Sequence, residues 1–296
     1  MTVALLGLGF FACTSARPLP PSVPAAALMK RPVDVSTHHG KAIDRNVAAP
    51  HPREPAGLGY SSLQVEHDDD YVVRIVTPSI SCTGTLIDEQ LVLTAHHCVA
   101  LRDGAGRILP ADLAPQRLTV EFGSGHFPWA EVKVKAIVAP SCGYAAGPGD
   151  LAILVLQRPM RGVATLPPLL DREPKLGDEV AHVGFGRCAL SEDGIYLKHR
   201  APGHVDLITK TGFRTNAPLC PGDSGGPVLD RQSGALAGVV SAGAMDGDER
   251  TPDRVEFARL DPFRGLFANA ERVAAGVALS ELPPIDCPNG PRDGSH

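Results

Sequence analysis

Short apolar runs separated by turn-forming residues dominate the chain from residue 71 onward. They are rich in Val, Ile and Leu, and most are bounded by Gly, Pro, Asp or Ser. Runs of this kind predict β-strands, and their close spacing favours a sandwich or barrel of antiparallel strands. The runs are YVVRIVT (71–77), QLVLTA (90–95), RLTVEF (117–122), VKVKAIV (132–138), LAILVL (151–156), EVAHVGF (179–185) and ALAGVVSAG (235–243).

A single helix is predicted after residue 260, where apolar residues recur at intervals of three and four. Asp261 is placed to cap this helix, and Pro262 suits its first turn. The predicted apolar stripe comprises Phe263, Leu266, Phe267, Ala270, Val273 and Val277. The last segment, residues 281–296, is rich in turn formers and predicts an irregular tail.

The first sixty residues differ in amino-acid composition from the rest of the chain. Residues 1–12 include the apolar stretch VALLGLGFFA and predict a signal peptide-like segment. Residues 13–60 contain eight prolines and few large apolar side chains, which predicts a linker or pro-segment rather than a folded unit. FFAC (10–13) is similar to a bacterial lipobox, so the expected membrane attachment, if any, is a lipid on Cys13. The alternative is an ordinary signal peptide cut nearby.

Composition narrows the function classes. The net charge is -5, from 28 basic and 33 acidic residues, and no segment is strongly basic, which argues against a nucleic-acid partner. The cysteine count is seven; removal of Cys13 by cleavage or lipidation leaves an even set, as expected of an exported protein. There is no CxxC pair, so zinc is not expected. The acidic cluster EHDDD (66–70) lacks an EF-hand pattern and predicts a solvated loop rather than a calcium site.

Three separated motifs carry candidate chemistry. CPGDSGGPV (220–228) sets Ser224 among glycines, where a tight turn can aim backbone N–H groups at a substrate carbonyl. A serine hydroxyl needs a base to become a nucleophile, and TAHHC (94–98) offers His96 and His97. GDLAILVL (149–156) begins with Asp150 ahead of an apolar strand, where a carboxylate can orient an imidazole.

These motifs, in the order His97, Asp150, Ser224, resemble the chymotrypsin/trypsin-like serine proteases, and the resemblance extends over about residues 71–274. It implies an all-β fold of two six-stranded antiparallel β-barrels with a C-terminal helix, in a protease domain over residues 61–280. It assigns His97 as the base, leaves His96 as a neighbour in place of the usual small residue, and assigns the oxyanion hole to the Gly222 and Ser224 amides. The resemblance also implies protein or peptide substrates, a monomer, and neither a metal nor an organic cofactor.

The resemblance also supplies expectations for substrate binding. Ser241, Ala242 and Gly243 lie in the strand that pairs with substrate, and Ser241 is expected to hydrogen-bond Asp150. Pro218 stands where trypsin-like members carry an aspartate, Leu219 follows it, and Val255 is expected at the pocket base. An apolar site for small or medium P1 side chains is therefore predicted. The alternative is a basic preference through a loop acid, drawn from Asp246, Asp248, Glu249 and Asp253.

Two features depart from the family or stay open. The usual Ile-Val-Gly-Gly-like start, whose new amino group pairs with the aspartate before the nucleophile, is not visible; cleavage after Arg53 and a different partner for Asp223 are both open. The resemblance implies a Cys82–Cys98 disulfide, and Cys188–Cys220 and Cys142–Cys287 are guessed among the 15 pairings of six cysteines.

The sequence therefore predicts a secreted or envelope-anchored serine endopeptidase. The rival from another class is a catalytically silent homologue acting as a binding module. A third hypothesis is a periplasmic quality-control protease of the high-temperature-requirement kind. Those proteases carry a following PDZ domain and an asparagine at the position of Asp223, so the aspartate in this sequence argues against the hypothesis.

Overall fold

The computed structural model describes residues 59–60, 69–123, 128–144, 147, 149–187, 198–244 and 254–287. Several predictions fall outside these residues: the signal segment, Cys13, Arg53, Cys188 and the loop acids at 246–253. Gly59 and Tyr60, at the end of the predicted linker, form a two-residue strand. Among the described residues, no helix is long and apolar enough to cross a membrane.

The first barrel is a closed sheet of six antiparallel strands in the order β2-β3-β4-β9-β8-β7. Its strands either alternate between apolar and polar side chains or are apolar throughout, and the side chains that point inward fill one continuous core. A two-stranded hairpin, β5–β6, leaves the barrel after β4. The elements are β2 (Val72–Val76), β3 (Ser81–Asp88), β4 (Leu91–Thr94), β5 (Ala100–Arg102), β6 (Ile108–Asp112), β7 (Thr119–Phe122), β8 (Ala130–Val138) and β9 (Ala152–Leu156).

The second barrel also closes with six antiparallel strands, because β11 pairs with both β10 and β12, and the short β1 pairs with β11. A separate apolar cluster, which includes Phe213, Val240 and Phe257, fills its interior. Two six-stranded barrels are the predicted fold. The elements are β1 (Gly59–Tyr60), β10 (Glu179–Gly184), β11 (His199–Ile208), β12 (Gly212–Thr215), β13 (Pro227–Asp230), β14 (Leu236–Ala244) and β15 (Arg254–Arg259).

The C-terminal helix α1 (Arg264–Ala274) follows a 3-10 turn over Asp261–Phe263, and further 3-10 turns cover His96–Cys98, Pro115–Arg117 and Leu279–Glu281. The predicted apolar stripe packs into the core of the first barrel up to Val273, whereas Val277 lies beyond the helix. The expected cap at Asp261 is wrong. Its carboxylate instead accepts hydrogen bonds from the Arg259 guanidinium at 3.0 and 2.6 Å, so no side chain caps the helix.

The expectation of a solvated acidic loop is wrong at Asp69. This carboxylate is 1 % exposed and accepts hydrogen bonds from the Arg200 guanidinium at 2.7 Å and the Tyr71 hydroxyl at 3.0 Å. A buried carboxylate is tolerated when such donors replace water. Burial of the Tyr71 hydroxyl, and then the charge of Asp69 beside it, raises the pKa of Tyr71 far above its usual range. Asp69 therefore fixes the entry to β2 rather than meeting solvent.

Candidate active site

The predicted base and carboxylate lie together at the edge of the first barrel. His97 is in the 3-10 turn that follows β4, and Asp150 lies two residues before β9, the strand paired with β4. The Asp150 Oδ2 atom is 2.8 Å from His97 Nδ1, and Oδ1 accepts the His97 backbone N–H at 2.9 Å. With Asp150 ionised, Nδ1 carries the proton, so Nε2 is free to accept one.

Further donors hold the Asp150 carboxylate, which is fully buried. Ser241, on β14 of the second barrel, donates its hydroxyl to Oδ2 at 2.5 Å, and the Gly147 amide donates to the Ser241 oxygen at 3.3 Å. A buried carboxylate needs such partners because it has lost its hydration. Ser241 thus joins the second barrel to the carboxylate of the first, as expected from the sequence.

The loop that carries Ser224 packs directly on β3 and β4. Gly225 has φ +84°, and a Cβ there would overlap the Thr94 hydroxyl and the Thr83 carbonyl oxygen, so only glycine permits the contact. The Ser224 carbonyl oxygen lies 3.6 Å from Cys98 Sγ, and His97 Nε2 lies 3.8 Å from the same sulfur. The backbone of the predicted nucleophile and the imidazole of the predicted base therefore flank one sulfur atom.

Thr83 on β3 makes two hydrogen bonds to this loop and a third to Phe185, and the sequence analysis did not single it out. Its amide donates to the Ser224 carbonyl at 2.8 Å, and its hydroxyl donates to the Gly222 carbonyl at 2.7 Å. The same hydroxyl accepts the Phe185 amide at 3.0 Å. Thr83 is fully buried. A polar residue within the β-rich run CTGTLI (82–87) was the available signal.

The amides around Ser224 divide into two groups. The Asp223 amide donates to the Cys220 carbonyl at 3.0 Å, and the Gly225 amide donates to the Val240 carbonyl at 2.8 Å. The Gly222 and Ser224 amides make no hydrogen bond with any residue in the described part of the chain. Gly222 has φ +112°, a conformation that L side chains rarely adopt. Two unused donors beside one hydroxyl suit an oxygen that develops negative charge.

The residues predicted to line the P1 pocket form an apolar group. Val255 is fully buried and belongs with Leu219, 7 % exposed, to the core cluster of the second barrel, and Pro218 is half-buried. Gly243 is the β-ladder partner of Val255, and Ala242 precedes it on β14. Val255 is therefore packed in the interior of the second barrel.

Two separate cavities border the site. One of about 220 Å³ is lined by Ser241, Gly147 and Phe213 among others. The other, of about 490 Å³, is lined by Gly222, Ser81 and Arg187 among others. The two share no lining residue, so open space lies on both the Ser241 and the Gly222 flanks of the loop.

Comparison with known proteins decides the family. The family model described as Trypsin matches residues 61–260.

The chain belongs to the trypsin family. It is 30% identical over 218 residues to the cercarial protease of Schistosoma mansoni, a match covering 62% of this chain and 79% of that protein. It is 25% identical to the thrombin-like enzyme elegaxobin-2 of Protobothrops elegans, covering 68% and 92%. The chain is therefore a serine-type endopeptidase.

Solved structures agree on the fold. A Glu endopeptidase in complex with MPD superposes with a TM-score of 0.58 at 17% identity, covering 74% of this chain and 97% of that one. Neuropsin, a serine protease of mouse brain, gives 0.54 at 19% identity, covering 70% and 96%. At these identities the likeness shows the chymotrypsin-like fold alone.

The disulfides of this trypsin-family chain brace the site. Cys82 and Cys98 are joined, which ties the His97 turn to β3, and Cys142 and Cys287 are joined, which ties the segment before Asp150 to the region after α1. Cys220 is also disulfide-bonded, and its predicted partner lies outside the described residues. Cys82, Cys98 and His97 cluster as metal ligands do, but the two sulfurs bond each other and offer no thiolate.

Asp223 is held by groups that the sequence analysis did not assign. The carboxylate is fully buried and accepts the Gly186 amide at 2.8 Å and the Cys220 amide at 2.9 Å. His182 on β10 is fully buried too, with Nε2 3.6 Å from Asp223 Oδ2. A histidine within the apolar part of the run EVAHVGF was the signal for this neighbour. The structure thus brings an imidazole to the carboxylate whose partner the sequence left open.

Proposed function

We propose that this protein is an exported endopeptidase that cleaves protein or peptide substrates as a monomer, with His97, Asp150 and Ser224 as its catalytic triad. The observation that carries the proposal is the contact of both Asp150 carboxylate oxygens with His97, at 2.8 and 2.9 Å, beside the Ser224 loop. The intact donor set around Asp150 gives no support to a silent binding module.

The proposed reaction has two halves. The Ser224 hydroxyl attacks the scissile carbonyl while His97 Nε2 takes its proton, and the Gly222 and Ser224 amides stabilise the oxyanion. The tetrahedral intermediate collapses when His97 returns the proton to the leaving amine, which breaks the C–N bond and leaves an acyl-enzyme. Water then attacks the ester, His97 takes the water's proton and passes it to Ser224, and the acid product leaves. Asp150 stabilises the imidazolium throughout.

The proposed P1 preference is for small or medium apolar side chains. Val255 and Leu219 belong to the apolar cluster of the second barrel, and Pro218 carries no charge. An apolar pocket discriminates against charged side chains because they lose hydration without gaining a partner. It separates apolar side chains by size only modestly, since one methylene contributes about 1–3 kcal/mol.

The test is hydrolysis of matched peptides that differ only at P1. We expect kcat/KM for Ala, Val and Leu to exceed that for Lys, Arg and Glu, and Ser224→Ala to remove all hydrolysis. A strong preference for Lys, Arg or Glu would contradict the apolar pocket while leaving the triad standing. Full activity in Ser224→Ala would contradict the triad itself.

Export is proposed from the apolar N-terminal segment and from the disulfides, which suit an oxidising compartment. The intact mass of the protein recovered from the envelope and from the medium tests it. Loss of the residues before Cys13 with an added lipid mass supports anchoring, and loss without lipid supports secretion. A full-length, reduced protein in the cytoplasm would contradict export.

A further inference from the structure

His96, the neighbour of the proposed base, is fully buried and contacts two other segments through its ring. Nδ1 lies 2.7 Å from the Cys142 carbonyl oxygen, and Nε2 lies 2.8 Å from Asp112 Oδ1. The Tyr144 ring packs on the imidazole with centroids 4.1 Å apart. A residue present only to fill space needs neither hydrogen bond.

The number of protons on the His96 ring decides which of its two contacts can be hydrogen bonds. A backbone carbonyl oxygen only accepts, and so does an ionised carboxylate. A neutral imidazole carries one N–H and can donate to only one of the two. Asp112 is one-third exposed at its side chain, whereas His96 is fully enclosed. Both contacts are therefore hydrogen bonds when Nδ1 donates to the Cys142 carbonyl oxygen and Nε2 donates to an ionised Asp112.

The two acceptors belong to the segments that surround the triad. Cys142 begins the segment that leads to Asp150 (residues 142–150, the Asp150 segment), and Gly143 lies against Gly149, since a Cβ on Gly143 would overlap the Gly149 carbonyl. Asp112 ends β6 of the hairpin and pairs with Ala100 of β5. The ring thus connects the His97 turn to the Asp150 segment at a second point, besides the contact between His97 and Asp150.

We propose that His96 is a positioning residue: a doubly protonated ring that clamps the Asp150 segment and the β5–β6 hairpin onto the turn carrying His97. The proposal rests on the proposed triad, because its purpose is the geometry between His97 and Asp150. The titratable groups that face the ring are Asp112 from β6, Tyr144 from the Asp150 segment, and His97 next in the chain. Displacing a reacting group by about 1 Å costs on the order of 100-fold in rate.

Nitrogen-15 NMR of histidine-labelled full chain tests the proton count directly. The His96 signals are assigned by their absence from His96→Ala. We expect both ring nitrogens to carry protons at neutral pH. In Asp112→Asn, whose amide can donate to Nε2, we expect Nδ1 alone to remain protonated. A singly protonated ring in the unaltered protein would overturn the proposal, whether or not the protein is active.

Kinetics of a peptide substrate test the positioning role. In Asp112→Ala we expect kcat to fall about tenfold with KM within twofold, and in His96→Ala a larger fall. In Asp112→Asn, which keeps every hydrogen bond, kcat should stay within threefold. The matched control is Asp103→Ala on the loop of the same hairpin, where Asp103 contacts Arg107 and the nearby backbone, and this variant should match the parent.

Two outcomes would overturn the role. One is that Asp112→Ala behaves like the Asp103→Ala control. The other is that Asp112→Asn loses as much activity as Asp112→Ala, because hydrogen bonding would then not be what holds the segments. Melting temperatures of each variant separate loss of fold from loss of alignment. If the parent protein has a mature N-terminus and forms no Ser224 adduct with a fluorophosphonate, the proposed triad is wrong, and the NMR result still tests the proton count of His96.

Discussion

Thr83→Val is the substitution that best probes how the first barrel holds the nucleophile loop. Valine has nearly the same shape but removes the hydroxyl that donates to the Gly222 carbonyl and accepts the Phe185 amide, at 2.7 and 3.0 Å. The Phe185 amide is buried and the Gly222 carbonyl is partly buried. The bond from the Thr83 amide to Ser224 survives the change, so only the hydroxyl is tested.

The magnitude follows from the two groups left without a partner. A buried polar group without a hydrogen bond costs about 1–3 kcal/mol, so the two together cost roughly 2–6 kcal/mol of unfolding free energy. For a domain of this size, 1 kcal/mol corresponds to about 2–4 °C, so the melting temperature should fall roughly 4–24 °C. The Gly222 carbonyl also loses the hydrogen bond from Thr83 that holds it in place. Because removing an oxyanion donor costs about 100- to 1,000-fold, a displaced donor should lower kcat by about 10- to 100-fold.

The assay is steady-state kinetics with one peptide substrate beside a thermal melt, and Thr83→Ser is the matched control. Serine keeps the hydroxyl and loses one methyl group, about 0.8 kcal/mol of burial, so its kcat should stay within twofold of the parent. KM should change little in either variant, since the affected donors act on the transition state. Equal kcat values for the valine and serine variants would refute the reasoning.

Three further changes have defined outcomes. Ser241→Ala removes the hydroxyl that donates to Asp150 at 2.5 Å. Because a hydrogen bond to a charged group contributes about 1.5–3 kcal/mol, kcat should fall at least tenfold. An unchanged kcat would count against this role of Ser241. Val255→Ala should raise the kcat/KM ratio of Leu over Ala at P1 by about tenfold, measured on the P1 peptide series; an unchanged ratio would remove Val255 from the pocket. Burial acts to raise the pKa of Asp230, but hydrogen bonds from Ser233 and the charge of Arg172 outweigh it and hold the pKa of Asp230 below its usual value. The stabilisation by Asp230 is therefore complete above about pH 4 and disappears as the pH falls through the lowered pKa. Urea unfolding of Asp230→Asn and the parent should accordingly differ at pH 7 and converge at low pH, and a gap that persists at low pH would contradict this assignment.

Two of the predicted strands, β9 and β8, are buried on at least one face over their whole length. LAILVL became β9, all of whose residues are buried, and VKVKAIV became most of β8, with its alternation intact. The run HRAPGHVDLI was not predicted, although it forms β11 and closes the second barrel. It carries a proline and a glycine, which normally argue against a strand, and pairing on both sides outweighs that local preference.

The candidate site was predicted where the family has a fixed motif. TAHHC, GDLAILVL and CPGDSGGPV lie far apart in the chain, and the resemblance assigned one residue in each; the structure brings two of these, His97 and Asp150, into contact. The supporting contacts of Thr83, His96 and His182 were not predictable, because each depends on a neighbour from a distant segment. Asp69 illustrates the same limit, since its neighbours in sequence suggested solvent and its partner Arg200 is distant in the chain.

The central claim is that Ser224 is an activated nucleophile. The most direct measurement is the intact mass of the purified protein before and after a fluorophosphonate probe, with tandem mass spectrometry to locate the adduct. The account predicts a single adduct on Ser224, absent in Ser224→Ala and strongly slowed in His97→Ala. A protein whose starting mass shows a mature N-terminus and which forms no adduct would contradict it.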